Sequence, residues 1–105
     1  FNFNGWAKYS NYKLDRKVPK AISEVLEVPL TQVVYKGKPV VLEGGALEVN
    51  GKGTLITSEE CLLHPKVQVR NANFTKTDYE AIFKEYLGIT NTIRRRHPWS
   101  HRRFV

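Results

Sequence analysis

Leu42-Glu43-Gly44-Gly45-Ala46-Leu47-Glu48-Val49-Asn50-Gly51-Lys52-Gly53-Thr54-Leu55-Ile56-Thr57 is the stretch whose reading decides the fold. Residues 47–49 and 54–57 alternate in polarity around Asn50-Gly51-Lys52-Gly53, and Asn-Gly between alternating segments is a strong short-range hairpin signal. An antiparallel β-hairpin is predicted there. Upstream, Val40-Val41-Leu42 is a short apolar run suited to a buried strand. Residues 32–35 read as another strand, with Gly37-Lys38-Pro39 as the punctuation between the two. Downstream, Cys61-Leu62-Leu63 is an apolar patch expected to return to the core, and His64-Pro65 reads as a turn.

Two segments carry the helical period instead. In residues 15–26, Val18, Ile22, Val25 and Leu26 recur at i, i+4, i+7 and i+8. Asp15 is the expected N-cap, Pro19 falls in the first turn where its missing N–H does little harm, and Pro29 stops the helix. Further on, Thr75-x-x-Asp78 reads as a helix start. Tyr79, Ile82, Phe83, Tyr86 and Leu87 then share one face, and Gly88 stands where a C-cap glycine belongs. Residues 89–93 begin a strand that the arginine run from Arg94 is expected to end. The order of elements describes a small α/β unit of ββαβ type.

A chain of 105 residues has the size of one small domain. Its 41% apolar and 26% charged residues are those of an ordinary globular chain rather than a disordered one. The net charge of +7 raises the question of nucleic acid, but the excess is local. Arg94, Arg95, Arg96, Arg102 and Arg103 lie in a terminal stretch without acids, which leaves 12 basic against 10 acidic residues elsewhere. A nucleic-acid binder spreads its basic residues over a folded face, so no nucleic-acid partner is expected. No apolar run approaches the roughly 20 residues that span a bilayer, so no membrane partner is expected either. One cysteine, Cys61, allows no internal disulfide and suits a reducing cytoplasmic setting. The opening Phe1-Asn2-Phe3 reads as a cut edge, without the marks of a signal peptide.

Read singly, the residues supply no complete catalytic set. His97 and His101 have helical metal-ligand spacing, but Pro98 and the surrounding arginines argue against a helix, so no metal site is assigned. Cys61 has acidic neighbours, Glu59 and Glu60, that disfavour a thiolate, and leucines that suggest burial; it reads as structural. Glu43 is more suggestive, because a carboxylate at a strand end followed by two glycines can be presented to a cleft. An ordinary glycine turn is the alternative. Phe3-Asn4-Gly5-Trp6 with Tyr9 and Tyr12 fits either an aromatic pocket for a cation or simple core. Asn73-Phe74-Thr75 matches a glycosylation acceptor but is more simply a loop and helix N-cap.

Together these stretches resemble the agmatine deiminase and bacterial peptidyl-arginine deiminase family of guanidine-modifying hydrolases. Residues 1–9 look like its F-x-F-N-x-W segment, and residues 42–63 are similar to its E-G-G hairpin and T-E-E-C-L-L block. Residues 67–71 and the helix ending at Gly88 continue the likeness, which covers about residues 1–93. Residues 94–105 form an arginine-rich tail that departs from the family pattern, although Arg103-Phe104-Val105 is similar to an A-R-F-V ending in relatives.

The resemblance implies a five-bladed α/β propeller, the pentein fold, of which this chain holds about one ββαβ blade with parts of its neighbours. It implies hydrolysis of agmatine to N-carbamoylputrescine and ammonia in putrescine biosynthesis, or of peptidyl-arginine to citrulline, without cofactor. In the family a cysteine thiolate attacks the guanidinium carbon, a histidine moves protons and carboxylates grip the guanidinium. By the same resemblance Glu43 is the carboxylate that orients the histidine, and Asn4 and Trp6 sit near the pocket that binds substrate. The family's W-x-R-D segment and G-x-D-D-T-x-G-H-x-D loop have no match here, Cys61 does not correspond to the nucleophile, and His101 takes no role. A fragment inactive by itself is expected, of unspecified oligomeric state. The rival reading is a small basic module that contacts RNA or acidic surfaces through its arginine tail.

Overall fold

The structure is a computed structural model that describes residues 1–5, 10–64 and 70–95. Its contacts divide the chain into two compact units, Phe1–Glu43 and Gly44–Val105.

In the first unit a 3-10 turn, Asp15–Lys17, leads into helix α1, Val18–Leu26. The helix therefore starts three residues later than its apolar period suggests, and Asp15 is not its cap. Neither Leu14 nor Lys17, which flank the two starts, makes a side-chain cap bond. Pro19 lies in the first turn, as expected for a residue with no N–H to lose. The helix ends where Glu27 takes the left-handed conformation at φ 53° and its N–H donates to Ser23 O. No residue of α1 is buried.

Strands β1, Val34–Tyr35, and β2, Lys38–Pro39, pair antiparallel as Val34 with Pro39 and Tyr35 with Lys38. Lys36 and Gly37 close the hairpin at φ 50° and 75°, the positive values that a type I′ turn requires. Val40 N–H donates to Val33 O at 3.0 Å, and the chain then pairs on its other side with the N-terminus. Val33, Val40 and Leu42 are the buried apolar residues here.

The second unit begins with a 3-10 turn, Gly44–Ala46, and the predicted hairpin: β3, Leu47–Val49, and β4, Thr54–Ser58. Its register sets Leu47 opposite Thr57 and Val49 opposite Leu55. Asn50 fixes the turn, its Oδ1 accepting from Lys52 N at 2.8 Å and Thr54 N at 3.1 Å. A short helix α2, Glu59–Leu63, follows, capped by Ser58 Oγ, which accepts from Cys61 N. Of the patch Cys61-Leu62-Leu63 only Leu62 is buried.

Helix α3, Lys76–Leu87, is closed by the Thr75–Asp78 capping box and by Gly88 at φ 67°. It buries Tyr79, Ile82 and Phe83, the inner part of the predicted face, whereas Leu87 stays exposed. Strand β5, Asn91–Arg95, then returns parallel to β4, giving the order β3-β4-β5. The unit is thus a mixed α/β assembly of ββαβ type. One expectation is corrected: β5 does not stop before the arginines but includes Arg94 and Arg95. Its residues alternate between exposed and half-buried, and Arg94, on the half-buried side and only 15% exposed, forms an ion pair with Glu80 of α3. A charge can occupy that strand because the helix lying over it supplies the counter-charge.

Candidate functional site

Asn4 and Glu43 lie in the first unit, at the ends of two segments held together by backbone pairing. Asn2 N–H donates to Val40 O at 2.7 Å, Leu42 N–H donates to Asn2 O at 3.1 Å, and Asn2 bridges Val41 in parallel sense. Parallel segments advance together and residues two apart share a side, so this register sets Asn4 level with Glu43 on one side. Arg16 ties the N-terminal segment down, its Nε donating to Phe3 O at 2.8 Å while its guanidinium lies 4.7 Å from the centre of the Tyr12 ring. Tyr12 thus serves the scaffold around the segment.

Glu43 is half-buried. It follows the buried Leu42, and a burial gradient of this kind holds a carboxylate at the boundary between core and solvent. Gly44 and Gly45 have ordinary negative-side or extended backbone, and a Cβ built on either meets nothing within 4 Å. Neither glycine is required by a left-handed conformation, so open space flanks the corner that carries Glu43.

Asn4 is half-buried as a residue, yet its Oδ1 is buried and accepts no hydrogen bond. A buried amide oxygen without a donor costs roughly 1–3 kcal/mol, and native structures hold few such atoms, each of which calls for a partner. Sequence pattern reached Asn4 through resemblance; the orphaned oxygen is a property of the fold that no spacing announces.

The remaining candidates divide between the second unit and residues outside the description. Cys61 is a half-buried free thiol on α2, and His64 is exposed at the end of that helix. Trp6, Tyr9, His97 and His101 lie outside the described residues, as do Pro65 and the tail from Arg96. Among the described residues no three His, Cys, Asp or Glu side chains cluster as a metal site, and no helix is long and apolar enough to cross a membrane. Sequence reasoning missed one polar group, in which Asn71 Nδ2 donates to the Tyr79 hydroxyl at 3.0 Å beside the buried Arg70 and Asp78. Burial pushes the Tyr79 phenol above its ordinary value of 10.0, against the lowering effects of Asn71 and Arg70. Only the three-dimensional closure of the loop over α3 brings these residues together.

Comparison with known proteins places this arrangement. The model of the Porphyromonas-type peptidyl-arginine deiminase family matches residues 1–101. A Marinomonas protein provisionally named an agmatine deiminase is 37% identical over 98 residues, which are 89% of this chain and 24% of that protein. A counterpart with the same provisional name from Yersinia pestis is 33% identical over the same share of this chain and 25% of its own length. The solved structure of the agmatine deiminase of Enterococcus faecalis superposes with a TM-score of 0.72 at 28% identity, over 90% of this chain and 26% of that one. A provisionally assigned arginine deiminase from Porphyromonas gingivalis gives 0.69 at 35% identity, over 92% and 28%. The chain spans about a quarter of the length of the curated relatives it matches. On the match of its sequence and of both its units, the chain belongs to the Porphyromonas-type peptidyl-arginine deiminase family.

Proposed function

We propose that this chain is part of a guanidine deiminase that hydrolyses agmatine to N-carbamoylputrescine and ammonia, with peptidyl-arginine as the other candidate substrate. The preference for agmatine rests on Gly5-Trp6-Ala7-Lys8-Tyr9 and on Ala46 after the glycines, which look closer to those relatives, and on the names of the curated relatives. The reaction is a hydrolysis without change of oxidation state: one guanidinium C–N bond breaks, water supplies the oxygen of the new C=O, and the nitrogen leaves as ammonia.

In this reading Glu43 is the carboxylate that orients a proton-transferring histidine. Asn4 and Trp6 line the substrate side, and the ββαβ unit is one blade of an α/β propeller whose pocket binds the guanidinium. The thiolate nucleophile and the histidine belong to segments that residues 1–93 do not match, so the isolated chain is expected to release no ammonia from agmatine. A cytoplasmic, cofactor-free enzyme of putrescine biosynthesis follows from the same reading. The observation that carries it is the pairing of Asn2 with Val41, which sets two of the three proposed site residues level with one another. The rival reading, a basic module acting through its tail, finds no support, since Arg94 is engaged with Glu80.

The test is a chimera in which residues 1–93 replace the matching segment of the Enterococcus faecalis enzyme. Ammonia release from agmatine should persist, and Glu43→Gln should lower kcat by about 100-fold or more, the scale of a lost acid-base partner. A folded chimera without activity, or one indifferent to Glu43→Gln, would sink the proposal.

A further inference from the structure

The buried Oδ1 of Asn4 accepts no hydrogen bond, and its neighbour in register is Glu43. An amide oxygen in that state selects for one chemistry: it welcomes an N–H donor and repels another acceptor. Deimination converts a donor into an acceptor at one position of the ligand. The departing nitrogen of the guanidinium carries N–H groups, whereas the oxygen that takes its place in the ureido product carries none. The proposed role of Glu43 also concerns that nitrogen, because the departing group is the one that must receive a proton.

We propose that Asn4 Oδ1 accepts a hydrogen bond from the departing guanidinium nitrogen, so that the site holds a guanidinium substrate and disfavours its ureido product. This rests on the deiminase reading above and adds to it a cause of product release. After reaction two acceptor oxygens face each other with no proton between them. The cost of a buried unpaired acceptor corresponds to about tenfold in affinity or more.

The experiment is a titration of the full chain, labelled with nitrogen-15, by agmatine and by N-carbamoylputrescine, followed at the Asn4 side-chain amide and at the Asn2 and Leu42 backbone amides. Agmatine should shift these signals at concentrations about tenfold or more below those the product needs. Asn4→Leu, which keeps the volume and removes the acceptor, should bring the two affinities together. Loss of the positive charge also weakens the product, but that effect survives Asn4→Leu, so only the narrowing of the ratio reports on Asn4. Equal affinities in the parent chain, or a ratio unmoved by Asn4→Leu, would overturn the inference and leave the deiminase reading standing. If neither ligand moves the Asn4 signal, the oxygen is satisfied by water and the inference falls, while the chimera decides the deiminase reading separately.

Discussion

Tyr79 shows how a single residue couples burial to titration. Its ring is 3% exposed and stacks edge-on against Phe74 with centroids 5.7 Å apart, while its hydroxyl accepts from Asn71. Burial disfavours the phenolate, so the folded state binds the proton more tightly than the unfolded chain. The sign follows from linkage: below the ordinary value of 10.0 the stabilisation is fully present, and it declines as pH rises above that value. Chemical denaturation between pH 8 and 11 should show this loss, and Tyr79→Phe should flatten the part of it due to this group. An unchanged slope in the variant would remove Tyr79 as the cause. The sequence placed Tyr79 on the inner face of a helix because that face follows from a period of 3.6. It could not show the Asn71 partner, which comes from a loop outside the helix. Asn4 is the same case, since its identity was legible and the emptiness around its Oδ1 was not.

At the scale of elements, the legible parts were those closed by local chemistry. The β3–β4 hairpin is fixed by Asn50 and by Gly51 and Gly53 at φ 71° and 90°, and α3 by the Thr75–Asp78 box and Gly88. Each of these devices lies within a few residues of what it closes. The boundary of β5 was not legible, because the partner that makes Arg94 acceptable is Glu80, 14 residues earlier on α3. Gly53 joins the two kinds of information. Its φ of 90° favours glycine locally, and its carbonyl accepts from Thr90 N at 2.9 Å and Asn91 N at 3.0 Å, which aligns β5 on the hairpin. A Cβ there would stand 3.0 Å from Thr90 Oγ1. Gly53→Ala should therefore destabilise the unit by about 1–2 kcal/mol through backbone strain alone. Thr90→Ser in the same background should recover little, because the Oγ1 remains. A variant as stable as the parent in urea denaturation would show that the joint relaxes without cost.

At the scale of the whole chain, the helix α1 stands apart from everything the period argument anticipated. The apolar stripe was read correctly, but a stripe predicts burial only if something lies against it. Here Ile22 is 50%, Leu26 62% and Val25 80% exposed, so the stripe faces solvent. Its helix is held by local means, Pro19 at the start and Glu27 at the end, and by no buried side chain of its own. Such a face contributes little to the stability of this chain and much to its tendency to associate. Val25→Lys with Leu26→Lys should leave the thermal unfolding midpoint within about 0.5 kcal/mol of the parent's stability, as exposed substitutions do. Lysine is also no worse a helix former than valine. The same double variant should lower the binding of a hydrophobic dye and shift sedimentation toward the monomer. A drop in stability of about 2 kcal/mol or more, the scale of a lost core side chain, would mean that α1 packs its stripe against the protein after all. The proposal that a family-length chain supplies the cover would then lose its motive.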